Sequence, residues 1–136
     1  MPDIFRDNKP IVHISFFHDR IDNSVPLLRF YTEEDVLFDL LLYDAEKQMA
    51  YSLVDAQVIF RIKQKRCDDE YMYTYDSNAN TTHLLITNPE TGYMNIVIPK
   101  AEVQALGVGA HPFHVTVIKG GQERIVVKDH VNLLEV

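Results

Sequence analysis

Apolar residues recur at every second position along much of this chain. In AQVIFRIKQKR, residues 56–66, Val58, Phe60 and Ile62 fall on one side while Arg61, Lys63 and Lys65 fall on the other. Successive side chains of a strand point to opposite faces, so this pattern predicts a strand with one apolar and one charged face. PIVHISFF (10–17) alternates in the same way, with Val12, Ile14 and Phe16 opposite His13, Ser15 and Phe17. In DVLFDLLLYD (35–44), Val36, Phe38, Leu40 and Leu42 share one face. The stretch ITNPETGYMNIVIP (86–99) joins a reversal to a strand. Asn88-Pro89 opens the turn, Gly92 closes it, Met94, Ile96 and Ile98 form one face, and Pro99 removes the next backbone donor.

The remaining chain fits the same scheme. HLLIT (83–87) predicts a short strand, and Tyr71, Tyr73 and Tyr75, spaced by two, predict an edge strand. KAEVQALGVGAHP (100–112) predicts at most one helical turn, ended by Gly107 and Gly109. FHVTVIKGGQERIVVK (113–128) reads as a hairpin about Gly120-Gly121, which can take the positive φ angles of a tight primed turn. VNLLEV (131–136) reads as a last strand. About seven to eight strands, with turn signals about every eight to twelve residues, predict an all-β, two-sheet antiparallel sandwich. Residues 29–136 form the expected sandwich, and residues 1–28 an N-terminal arm or added edge strand.

Composition narrows the picture. The chain has 136 residues, enough for one domain with its own core, and 46% hydrophobic against 24% charged residues excludes a disordered polymer. A net charge of −7 argues against a general binder of the nucleic-acid backbone. Cys67 is alone, which rules out an internal disulfide and a cysteine-based zinc site and fits a reducing compartment. The charged opening MPDIFRDNKP has no signal-peptide pattern, and the longest apolar run, Leu40 to Tyr43, is far too short to span a bilayer. Neither nucleic acid nor membrane is therefore expected as a partner.

Catalytic constellations do not emerge. His111 and His114 are three apart on a predicted strand, which turns their rings to opposite sides, and His13 and His18 straddle a strand end. Asp68, Asp69 and Glu70 lack the alternating spacing and turn glycine of a calcium loop, and Asp39 and Asp44 are no hydrolytic pair. No serine sits in a glycine-flanked elbow, and Gly107-Val-Gly109 lacks the setting of a phosphate-binding loop. Cys67 follows Lys65 and Arg66, cations that lower a thiol's pKa only where it is exposed, and no partner base is marked. No catalytic, metal or cofactor residue is assigned, and a non-enzymatic protein is expected. RIKQKR (61–66) is the single basic cluster, suited to gripping an acidic partner or phosphate, or to guarding a strand edge. The three tyrosines fit a sugar-stacking or protein-binding strip, or simply a half-buried edge.

From Arg29 onward the order of motifs resembles a known family. Arg29-Phe30-Tyr31-Thr32-Glu33-Glu34-Asp35 opens it, Leu53-Val54-Asp55-Ala56 leads into the next strand, Gly92 precedes a strand ending on Ile98-Pro99, and a glycine then precedes the hairpin. This order is similar to that of the N-terminal immunoglobulin-like domain of bacteriophage baseplate upper proteins, found also at the base of tail fibres. The resemblance implies a virion structural or adaptor protein of the tail or baseplate, made in the host cytoplasm. It would anchor fibre or receptor-binding components through contacts with other tail, baseplate or fibre proteins, as a trimer or ring. Contact surfaces are expected on the arm around Ile4, Phe5 and Phe17, and secondly at Arg61 and Lys63. The alternative is a carbohydrate-binding sandwich module for host-surface recognition.

Overall fold

A computed structural model describes residues 11–17, 20–22, 28–44 and 47–136, the first two segments by their backbone only. Eleven strands and one α-helix follow in order among the described residues: β1 (Ile11–Phe17), β2 (Arg20–Asp22), β3 (Leu28–Tyr31), β4 (Val36–Asp44), β5 (Met49–Ala50), β6 (Gln57–Ile62), β7 (Tyr73–Asp76), β8 (Leu84–Asn88), β9 (Tyr93–Ile98), α1 (Lys100–Leu106), β10 (Gly109–Lys119) and β11 (Gln122–Leu134). Sheet one has the order β2-β1-β4-β9-β8, with β5 also on β4; sheet two has the order β3-β11-β10-β6-β7. The all-β sandwich expected from the alternation is what forms.

The apolar faces meet between the sheets. Val36, Phe38, Leu40 and Leu42 of β4 and Met94, Ile96 and Ile98 of β9 are fully buried. So are Val58, Phe60 and Ile62 of β6, while Phe113, Val115 and Val117 of β10 are nearly so. The Phe38 ring lies 5.9 Å from that of Phe113 and 6.4 Å from those of Phe60 and Phe30, linking sheet one to three strands of sheet two. Each such ring or aliphatic side chain removed from water contributes roughly 1.5–3 kcal/mol.

Three features differ from the sequence reading. The sheets are mixed, because β1 runs parallel to β4 and β3 parallel to β11, whereas the other pairings are antiparallel. Alternation specifies faces but says nothing of a neighbour's direction. The helix α1 covers seven residues rather than one turn, since Val103 and Leu106, three apart, both bury against the sandwich. The return strand and the predicted last strand are one continuous β11 of 13 residues. A bulge opposite Val115 and Thr116 places Val126 between Val127 and Ile125, so Val126 and Val127 are both buried and the period of two is broken.

Gly92 ties the turn before β9 to sheet one. It holds φ +71°, its N–H donates to Pro89 O at 3.3 Å, and its carbonyl accepts from Leu42 N at 3.0 Å. A Cβ there would lie 2.5 Å from Tyr51 O and 2.9 Å from Leu42 O, both backbone atoms that cannot swing aside. Gly92→Ala should therefore cost on the order of 3 kcal/mol, combining a left-handed backbone with steric displacement of β4. Urea denaturation checks this, and a loss below about 0.5 kcal/mol would contradict the geometry.

Candidate interaction surfaces

The outer face of sheet two is built by strand register. With Val58, Phe60 and Ile62 turned inward, Arg61 and Lys63 must turn outward. Register places Arg61 of β6 beside His114 of β10, and His114 beside Lys128 of β11. Next along, the Lys63 N–H donates to Pro112 O at 2.9 Å, and Pro112 pairs with His130. The loop between β6 and β7 then lays Tyr71 over this face. The Lys63 ammonium lies 5.1 Å and the Arg61 guanidinium carbon 5.9 Å from the centre of the Tyr71 ring. Edge-on to His114 at 5.0 Å, Tyr71 also brings its hydroxyl within 3.3 Å of His114 Nδ1. Lys63, Tyr71, Pro112, His114, Lys128 and His130, with Arg66 and Asp129, border an open cleft of about 630 Å³. Partial burial first, then the charges of Arg61, Lys128 and Lys63, hold the His114 imidazole below its ordinary value of 6.5.

The tyrosine strip does not form. Tyr75 is in the core, stacked on Phe60 at 5.5 Å and 11°, and Tyr73 packs half-buried on the same side. Tyr71 precedes β7 and faces the opposite way, so the sugar platform suggested by the spacing is split between two sides of the sheet. The Tyr75 hydroxyl is buried without a hydrogen-bond partner among the described residues. Burial, and then the charge of Glu102, push its phenol up.

On sheet one the outer face is apolar around a polar knot. Leu37, Tyr43 and Leu85 are exposed there, and Leu37 pairs with half-buried Val97. Asp39, at the centre and 3% exposed, accepts from Tyr93 Oη at 2.5 Å and from Asn95 Nδ2. The hydrogen bond to Asp39, then burial, push the Tyr93 phenol up to about 12. Sequence reasoning passed over this knot, although a lone carboxylate inside VLFDLLL was its signal.

The two paired histidines part as their spacing predicts. His114 faces outward, whereas His111 is 3% exposed, with Nδ1 2.7 Å from Gln64 O and Nε2 2.7 Å from Gly107 O. It joins the loop after β6 to the end of α1, a structural duty. Among the described residues no three His, Cys, Asp or Glu side chains gather as a metal site. Of the predicted contact residues, Arg61 and Lys63 come together around Tyr71. Ile4 and Phe5 lie outside the described residues, as does the side chain of Phe17.

No family model matches the sequence, and no curated protein matches it. Among solved structures the chain is similar to the N-terminal domain of phage TP901-1 ORF48. The TM-score is 0.57 at 9% identity, over 93% of this chain and 98% of that one. The likeness is one of fold. It spans both sheets of the sandwich and nearly the whole of the phage domain.

Two outcomes test these surfaces. Tyr75→Phe should leave stability unchanged or raise it by about 1 kcal/mol, because it removes a buried, unpartnered hydroxyl. A thermal-melt loss above about 1 kcal/mol would show that the hydroxyl is satisfied. Tyr93, raised in the folded state, contributes stability that is complete below its unfolded value of about 10 and lost as pH rises through about 12. Ultraviolet titration of Asp39→Asn should therefore show one late-ionising tyrosine moved to lower pH, and an unchanged profile would exclude the pairing.

Proposed function

We propose that this domain is a non-enzymatic structural module of a phage tail or baseplate, holding neighbouring virion proteins through its outer faces. The observation that carries the reading is the shared fold with a phage protein's N-terminal domain over almost the full length of both chains. The motif order from Arg29 to the hairpin supports it separately, by its resemblance to the immunoglobulin-like domain of baseplate upper proteins. Fold likeness alone hosts many functions. What specialises this one is a basic, aromatic-capped face on one sheet and an apolar face on the other, the two chemistries from which protein contacts are made. Arg61 and Lys63 are the contact residues within the described face, and the N-terminal segment around Ile4, Phe5 and Phe17 is the second. The ring or trimer, the anchoring of fibre or receptor-binding components and the location in the particle belong to this same reading.

Gold-labelled antibody against the chain should decorate tails or baseplates of purified particles, at a regular number of sites per particle. Labelling confined to the soluble fraction of the lysate would overturn the proposal.

A further inference from the structure

We propose that the cleft on the outer face of sheet two binds a carboxylate-rich segment of a protein partner, and that His114 takes up a proton as the contact forms. The inference rests on the docking role proposed above and names the partner's chemistry. Arg61, His114 and Lys128 are direct neighbours on three adjacent strands. The middle ring is flanked by a cation on either side, so a positive charge taken up by His114 would be repelled by both. Arg61 and Lys63 are offset only by the Tyr71 ring, since no carboxylate of the described residues pairs with either. An incoming anion would relieve that repulsion.

The surroundings select among anions. The loop that delivers Tyr71 also carries Asp69 and Glu70, both exposed, with Asp68 beside them. Asp129 borders the cleft itself. A long phosphate backbone leaving the cleft would run into these charges, on a chain whose net charge is −7. A short peptide with discrete carboxylates meets the cations and ends before them. The open form of the cleft and its volume of about 630 Å³ suit several side chains of such a segment.

His114 supplies the coupling. The groups facing it are Arg61 from β6, Lys63, Arg66 and Tyr71 from the following loop, and Lys128, Asp129 and His130 from β11. In the free protein the cations disfavour a further positive charge on the ring. The neutral ring can accept the Tyr71 hydroxyl proton at Nδ1, 3.3 Å away. Once protonated, Nδ1 donates instead to the Tyr71 oxygen, and the hydroxyl hydrogen is released toward the cleft. Protonation thus adds one charge and one outward donor. A bound carboxylate raises the His114 pKa from its depressed value, so affinity strengthens as pH falls through the bound-state value and levels off below the free-state value. A single coupled proton changes affinity by up to about tenfold per pH unit.

The test is fluorescence anisotropy of a labelled, glutamate-rich peptide of about ten residues, at constant ionic strength, from about pH 8 to about pH 5. The whole chain should bind it at least about threefold more tightly at the acid end. Arg61→Gln combined with Lys63→Gln should lose more than about tenfold at every pH, and His114→Gln should bind with no pH dependence. A proton NMR titration of His114 in the unaltered protein, with and without peptide, should show its pKa rising on binding, independently of any variant. Unchanged affinity in the double variant would overturn the site, and an unshifted His114 would overturn the coupling. Binding of a heparin oligosaccharide or inorganic phosphate in place of the peptide would overturn the carboxylate assignment. Gold-labelled particles without peptide binding would remove this contact and leave the structural role standing. Coupled peptide binding in a protein absent from particles would do the reverse.

Discussion

Two sheets stacked face to face hold together only through the side chains between them, and here the contact converges on Phe38. Its ring is fully buried and meets the rings of Phe30, Phe60 and Phe113, which come from β3, β6 and β10. Phe60 in turn stacks on Tyr75 of β7 and lies 5.1 Å from Phe113. Four of the five strands of sheet two are thus tied to one residue of β4. Residues removed from this cluster leave a cavity that rigid β-strands close poorly, which is why aromatic cores of this type tolerate little loss of volume. The outward residues inherit their places from it. Arg61 and His114 are neighbours because Ile62, Phe60, Phe113 and Val115, which alternate with them, are held inside.

The faces of the strands were legible in the sequence, and the neighbours were not. Val58, Phe60 and Ile62, Met94, Ile96 and Ile98, and Phe113, Val115 and Val117 all turned inward as their alternation requires. Period-two patterning is a local property imposed by backbone geometry. The parallel pairing of β3 with β11 joins segments about a hundred residues apart, and no local signal encodes such a choice. At Val126-Val127 the alternation misleads, because the bulge turns two successive valines inward, and the polar pair Asp129-His130 further along makes one strand read as two. The same limit hid the basic cleft. Arg61 and Lys63 were visible as charges, but Tyr71 and His114 meet only through folding, 43 positions apart.

Buried polar groups add specificity where apolar contacts are permissive. Asp39, Tyr93 and Asn95 meet only when β4 and β9 pair with Asp39 opposite Asn95. A slip of one residue would turn that carboxylate into the core, where a charge is expensive. His111 does comparable work at the far end of sheet two, where its two carbonyl partners belong to segments that no strand ladder joins. Such groups make one register preferable without adding greatly to net stability.

The two outer faces lie on opposite sides of an interior about 10 Å thick. Substitutions on one are far enough from the other for their effects to add rather than interact. Either exterior is thus free to drift toward a new neighbour while the alternating interior stays fixed. A fold likeness at 9% identity needs little in common besides that alternation.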